Sequence, residues 1–529
     1  MPKRGLDLSY LSDLSEQEAV VLYESDSQVG EYICLSHCWG GSQPVRTTLA
    51  TIAEFRKGIA LSQLPKTFSD AIDVTKYLGV RYLWIDSLCI IQDDRRDWEV
   101  QAAQMAEIYG RAYLTVAGTV AMNADAGPFS PNRHMQVTIN RLDNPIPGIP
   151  SLSYREAITH TQLRMSTMNA ANESYNEKIE DEAAEWTSMP HPLLGRSWTY
   201  QEHLLSPRII QFTHHEIVWE CSCEIWCCCT TKGHHWRGQK HFAAPLLAPY
   251  HVLPDSLQHR PDLSTLYEVW RDIVVRYTSK DLAFDNDRLP ALSGVAKRAQ
   301  LILGSTYLAG IWSGDLLHGL CWYTANQYTR RGMYDMFIQR GGYFVDESGS
   351  SGDSLAKARR PNGYRAPTWS WASVEGPIEG ANTDMRPGNF IVRDYRCVSS
   401  SKDPTGCVDS GYLEIECKVV KCLYQGANDN KHHRVGQGNA WEIFDADVLY
   451  HVPPYDKELS VGQSVYCVVV GDTSRVYRYD TTATPVLILR KVHSRPKRYE
   501  RVGLSRGSAM NVLWRNLFET ASWRRLVIL

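Results

Sequence analysis

Tyr32-Ile-Cys-Leu-Ser-His-Cys-Trp-Gly40, Leu64-Pro-Lys-Thr-Phe-Ser-Asp-Ala-Ile72 and Tyr82-Leu-Trp-Ile-Asp-Ser-Leu-Cys-Ile-Ile-Gln-Asp-Asp94 together decide the fold class. Residues 32–36 are a short, almost wholly apolar run, as expected of a strand buried on both faces. From Pro65 to Leu78 the positions Phe68, Ala71, Ile72, Thr75 and Leu78 fall three or four apart and line one helical face. Pro65 suits the start of that helix and Gly79 the left-handed residue that ends it. Residues 81–86 read as a second strand. Asp97 is a plausible N-cap for a helix carrying Trp98, Ala102, Met105, Ile108, Tyr109 and Ala112 on its apolar side. Tyr113 to Ala117 reads as a third strand. Strands alternating with single helices imply a parallel sheet with right-handed crossovers. Ligands of such sheets sit outside the carboxyl ends of the strands. That rim is where Ser36, His37, Trp39, Gly40, Asp86, Ser87 and Cys89 are expected.

A chain of 529 residues is too long for one compact core, so several domains are expected. The reading outward from the opening unit is a polar leader over 1–31 with one edge strand around Val20 to Tyr23, then an α/β domain over 32–235. Within that domain residues 119–190 lose periodicity; Pro145–Pro150 and the acidic run Glu173–Glu185 look like surface loop and solvated helix. Order returns at Leu194, with strands expected over Ile209–Phe212 and Ile217–Glu220. Residues 236–365 read as mainly helical. One strong amphipathic helix covers 264–277 through Leu266, Val269, Trp270, Ile273, Val274 and Tyr277, and a second covers Ala291–Leu303. From 366 to 529, short alternating runs such as Tyr412–Cys417, Ser464–Val470 and Val486–Leu489 predict an antiparallel β-rich domain.

A net charge of −3 gives no basic footprint for nucleic acid. No apolar run approaches the ~20 residues that span a bilayer, so no membrane segment is expected. The first residues lack the apolar core of a secretory signal. Fourteen cysteines without framework spacing fit a reducing, cytoplasmic compartment.

Taken in order, Leu35-Ser-His-Cys-Trp-Gly40, Leu64-Pro-Lys-Thr67, Trp84-Ile-Asp-Ser-Leu-Cys-Ile-Ile-Gln92, Met105-x-x-Ile-Tyr109 and Arg196-Ser-Trp-Thr-Tyr-Gln-Glu202 resemble the fungal heterokaryon-incompatibility (HET) domain family. Asp287-Arg-Leu-Pro-Ala291, Tyr307-Leu-Ala-Gly-Ile-Trp312 and Ala366-Pro-Thr-Trp-Ser-Trp-Ala372 look like its long members. The resemblance implies a cytoplasmic protein of self/non-self recognition and programmed cell death. A weaker likeness joins HET domains to Toll/interleukin-receptor (TIR) domains, which implies a flavodoxin/TIR-like parallel sheet. Some TIR domains cleave NAD through a glutamate in Trp-Cys-x-x-Glu. Here Trp198-Thr-Tyr-Gln-Glu202 keeps that spacing, with Thr199 in place of the cysteine.

Glu202 is therefore the leading catalytic candidate, with Trp198 one helical turn away. Breaking the nicotinamide–ribose bond passes through a ribosyl cation that a desolvated carboxylate stabilises. The competing reading pairs Glu202 with Arg196 or Arg208 and makes it a helix tie. Ser36, Trp39 and Gly40, with Asp86 and Arg196, are candidates for holding a nucleotide substrate such as NAD; no bound cofactor is required. The alternative makes the Ser36–Gly40 stretch a tight turn with Trp39 plugging the core. Asp86, Asp93 and Asp94 suit ribose hydroxyls, a hard cation or, more commonly, turn and helix caps. Cys89 with His37 offers a thiol–imidazole pair, although free cysteines are mostly small buried hydrophobes. Cys221, Cys223, Cys227, Cys228 and Cys229 with His234 and His235 lack paired CxxC spacing, which favours free thiols over zinc, and no metal site is expected. Trp369 and Trp371, expected to share one strand face, read as core rather than a sugar or base platform. Three functions stay open: nucleotide hydrolysis at Glu202, a non-catalytic module acting by self-association or through a protein partner, and a small-molecule enzyme using the Cys89/His37 rim.

Overall fold

The computed structural model describes residues 1–11, 19–25, 28–41, 45–128, 191–213, 217–227, 239–247, 261–324, 359–361, 363–380, 385–386, 390–400, 403–427, 432–437, 440–446, 459–473, 485–494, 496–505 and 512–529. These fall into two compact units, one holding the described residues up to Leu247 and the other those from Pro261 onward. The expectations for Pro145–Pro150 and the acidic run Glu173–Glu185 lie outside the described residues.

In chain order the first unit contains β1 (Arg4–Asp7), β2 (Ala19–Glu24), β3 (Tyr32–Ser36), α1 (Ile52–Phe55), β4 (Ile59–Ala60), α2 (Lys66–Tyr77), β5 (Tyr82–Trp84), α3 (Asp86–Cys89), α4 (Arg95–Gly110) and β6 (Leu114–Ala117). It continues with α5 (Pro192–Gly195), α6 (Ser197–Leu205), β7 (Arg208–Phe212), β8 (Ile217–Cys221), β9 (Ile225–Cys227) and α7 (Gln239–Leu247). Its sheet runs β4-β2-β1-β5-β3-β6-β7-β8-β9. The central four strands are parallel, with Ile33 beside Leu83 and Leu114, and Val116 beside Ile210; the flanking strands are antiparallel. Every residue of β3 and β6 is buried, as parallel strands covered on both faces require.

The connection from β3 to β5 steps one way across the sheet and that from β5 to β6 steps the other. Right-handed crossovers then place α2 and α4 on opposite faces. Tyr32 donates its hydroxyl to the Ile108 carbonyl at 2.6 Å and Tyr109 donates to the Leu35 carbonyl at 3.1 Å, which seats α4 on β3. Helix α6 packs beside α4 on that face. The step reverses between β3 and β6, and the crevice outside their carboxyl ends is where open α/β sheets bind ligands.

Two local expectations are corrected. Residues 1–31 are not a leader with one edge strand. Strand β1 lies between β2 and β5, and β2 is itself flanked by β1 and β4. The polar ends of β1 are neutralised: Arg4, 1 % exposed, pairs with Asp97, and Asp7 pairs with Arg81 at 2.6 Å. Asp97 is thus a buried ion-pair partner rather than an N-cap. The cap of α4 is Asp94, whose side chain accepts from the N–H groups of Arg96 and Asp97.

In the second unit, helices Leu263–Thr278 and Pro290–Leu303 bury the apolar stripes expected of them, and Gly304 ends the latter at φ +59°. Strands Phe390–Ser399, Val408–Ala427, His432–Gln437, Ala440–Ala446, Lys497–Ser505, Val486–Ser494 and Ser464–Val469 form an antiparallel sheet in that spatial order. Trp369 and Trp371 lie in a turn and a short 3-10 segment, not in a strand. Both rings are core, with the Trp371 Nε1–H donating to the Gly310 carbonyl at 3.0 Å, which excludes the platform reading.

Candidate functional site

Strand β3 ends at Ser36, whose hydroxyl donates to Glu202 Oε2 at 2.5 Å across 166 residues of sequence. Glu202 reaches it from α6, and the Tyr109 hydroxyl, from α4, lies beside the carboxylate. Burial pushes the Glu202 carboxyl up to about 7, and nearby Asp86 adds to that. The hydrogen bond from Ser36, the neighbouring Tyr109 hydroxyl and the charge of Arg196 act the other way. Glu202 is 5 % exposed, and among the described residues it forms no ion pair. Arg208 instead donates to the Tyr113 carbonyl and stacks over its ring, so it is not the partner of Glu202.

The stretch after Ser36 is a built loop. Trp39 donates its indole N–H to Asp86 Oδ2 at 2.8 Å, and Asp86 Oδ1 also accepts from the Ser87 N–H at 2.7 Å. His37 Nδ1 lies 3.7 Å from the same carboxylate, and its ring meets Phe68 edge-on with centroids 5.0 Å apart. Burial holds the His37 imidazole below its ordinary range. Arg196, at the start of α6, donates to the His37 carbonyl at 3.1 Å and to the Cys38 sulfur. Gly40 sits at φ +69°, and a Cβ there would lie 2.5 Å from Asn123 Cβ in the turn after β6, so only glycine fits. Ser36, His37, Asp86, Arg196 and Glu202 are therefore one constellation at the carboxyl ends of β3 and β5. Trp39, Asp86 and Arg196 are partly exposed and Gly40 is open to solvent.

Other expected residues take different places. Trp198 is half-buried on α6, one turn before Glu202. Asp93 accepts from the Leu49 N–H at 2.8 Å, so Asp93 and Asp94 both serve the backbone. Cys89 is fully buried and burial pushes its thiol up to about 12, the opposite of an activated nucleophile. That corrects the thiol–imidazole expectation at Cys89 and His37. Of the Cys221–Cys229 cluster, Cys228, Cys229, His234 and His235 lie outside the described residues; among the described residues no group of three metal-ligating side chains occurs.

The sequence motifs do not mark Tyr109 as part of the site. The sequence nonetheless carries a signal, because a tyrosine on the buried face of a helix needs a partner for its hydroxyl. Four further buried polar side chains on the surrounding elements have no hydrogen-bond partner among the described residues. They are the Trp84 indole N–H, whose ring packs on Tyr109, the Ser87 and Ser197 hydroxyls, and both amide atoms of Gln101. Unpaired buried groups are uncommon and mark places where water or a ligand completes the hydrogen bonding.

No curated protein and no solved structure matches the chain. Among the described residues no helix is long and apolar enough to cross a membrane. The family model described as heterokaryon incompatibility protein (HET) matches residues 32–202, from the first residue of β3 to the buried glutamate of α6. The Ser36–Glu202 hydrogen bond thus joins the two ends of the matched region, and this part of the chain is a HET domain.

Proposed function

We propose that the HET domain hydrolyses the nicotinamide–ribose bond of NAD or a related nucleotide, with Glu202 as the acting carboxylate. The observation that carries the reading is the 2.5 Å contact between Ser36 and Glu202 at the reversal point of the sheet, with Glu202 desolvated to a near-neutral pKa. The parallel strands, numbered along the chain, lie in the spatial order 2-1-3-4, which supports a flavodoxin- and TIR-like reading. In the ionised state Glu202 stabilises the positive charge that develops on the ribose as nicotinamide departs as a neutral base. Water then adds to the anomeric carbon and gives up a proton, which the Glu202 carboxylate can take and pass to solvent; the products are nicotinamide, the ribosyl nucleotide and that proton. Trp39, clamped by Asp86, offers a ring for stacking, and Arg196 offers unused donors to phosphate. Asp86 itself is occupied by the loop, so ribose recognition falls to other groups. The buried, unoxidised thiols Cys34, Cys38, Cys417 and Cys422 suit a reducing cytoplasm, and the family points to an incompatibility and cell-death role.

The test is release of nicotinamide from NAD by the purified full chain. Glu202→Gln is expected to lower the rate on the order of 100-fold or more, the scale lost with a major electrostatic contributor. Equal release by both proteins removes Glu202 from the mechanism. The near-complete burial of Glu202 favours a second reading, in which Glu202 ties α6 to β3 and the domain signals by self-association. Light scattering that shows assembly, with cell killing retained by Glu202→Gln, would favour that reading.

A further inference from the structure

A second buried polar cluster joins α6, β8 and α7, and the proposed chemistry leaves it unused. Glu220 on β8 is 0 % exposed. One of its carboxylate oxygens lies 2.6 Å from His203 Nε2 and 3.5 Å from Gln211 Nε2, and the other accepts the Lys240 backbone N–H at 3.0 Å. The Lys240 ammonium, itself buried, donates to the carbonyls of His203 and Ser206, the latter at 2.6 Å. Carbonyls at the end of a helix have no N–H of the helix to accept, and a cation there complements the negative end of the helix dipole. Ser206 donates its hydroxyl to the Glu202 carbonyl at 2.7 Å, and the Thr115 hydroxyl of β6 lies 2.7 Å from the Ser206 hydroxyl oxygen. The Glu202 carbonyl is thus held by Ser206, whose own carbonyl is one of the two that Lys240 holds.

Burying an ammonium is costly, and an apolar side chain of similar length would fill the same space without that cost. Burial pulls the Lys240 ammonium down to about 8, with the charges of Glu220 and Cys221 opposing. Burial alone would raise Glu220, but the charges and hydrogen bonds of His203 and Lys240 overcome it and leave its carboxyl below the ordinary range. We infer that Lys240 and Glu220 are positioning residues for Glu202, fixing the last turn of α6 so that the carboxylate stays within reach of Ser36. The inference takes Glu202 as the acting group, but the geometry it asserts is measurable without catalysis.

The experiment titrates Glu202 in the full-length protein by infrared difference spectroscopy, with the protonated carboxyl band assigned by its loss in Glu202→Gln. The groups facing that carboxyl are Ser36, Tyr109, Asp86 and Arg196. Lys240→Met is expected to raise the midpoint by about one pH unit, because the Ser36 hydrogen bond that holds it down is lost. Ser36→Ala should give a similar rise, and the double variant no further rise, since the two act through one contact. Lys240→Arg should recover most of the wild-type midpoint. A folded Lys240→Met with the wild-type midpoint, or additive shifts in the double variant, overturns the inference. Where Lys240→Met does not fold, Glu220→Gln replaces it, with a smaller rise expected and an unchanged midpoint overturning the claim. Absence of nicotinamide release from wild type defeats the hydrolase reading alone. If wild type is active, Lys240→Met should lower kcat with little change in KM, and its pH profile should follow the infrared midpoint.

Discussion

Glu202 couples stability to pH through its own burial. Its carboxyl is raised from an ordinary 4.5 to about 7, so between those values the folded protein holds a proton that the unfolded chain has released. Stability is then lost as pH rises through that window and stays lost above it. Glu202→Gln removes the penalty while keeping an oxygen for Ser36 to donate to. It should leave stability at pH 4 little changed and raise it at pH 8 on the order of 3 kcal/mol, from 1.36 kcal/mol per unit of pKa shift. Urea denaturation at the two pH values measures this; equal effects at both would mean that Glu202 is not desolvated. On the hydrolase reading the ionised form acts, so kcat/KM should climb with an apparent pKa near 7 rather than near 4.5. Gly40 gives a second residue-scale prediction. Gly40→Ala combines a left-handed backbone with a Cβ placed 2.5 Å from Asn123 Cβ, and should cost about 1–3 kcal/mol in chemical denaturation.

Helix α4 shows how far a pattern in sequence reaches. Its apolar positions were legible because 3.6-residue periodicity is a local property. Its start was not, since Asp94 and Asp97 are both good caps and only the tertiary partner chooses between them. Arg4, brought in by β1, claims Asp97 and donates to the Cys89 carbonyl at 2.7 Å, which leaves Asp94 to cap. The two aspartates should therefore differ sharply when changed. Asp94→Ala is expected to cost about 1 kcal/mol, the value of a helix cap. Asp97→Ala strands a buried guanidinium and should cost about 3–5 kcal/mol. Thermal or urea unfolding of the two variants decides it, and equal losses would contradict the buried pair.

At the scale of the molecule, β1 joins two sets of strands. Between β5 and β2 it carries Leu6 beside Leu83 on one side and Leu22 on the other, so the sheet has no free edge there. Deleting residues 1–11 should expose β5 and collapse the first unit, seen as loss of its cooperative transition and of dispersed amide signals. A truncated protein with the wild-type transition would show that β1 is dispensable. Sequence by itself determined the central parallel unit, the two long helices and the β-rich texture of the second unit, because alternation, helical spacing and glycine stops are short-range signals. Residue types at a strand end marked the β3 tip as a candidate, and the likeness of Trp198–Glu202 to a TIR motif marked Glu202. Only the tertiary structure decided that they touch, that β1 belongs to the sheet, that Cys89 is sealed, and that Lys240 and Glu220 hold the last turn of α6. Those are contacts across tens to hundreds of residues, where the identity of a partner depends on how the strands are ordered and not on any neighbour in sequence.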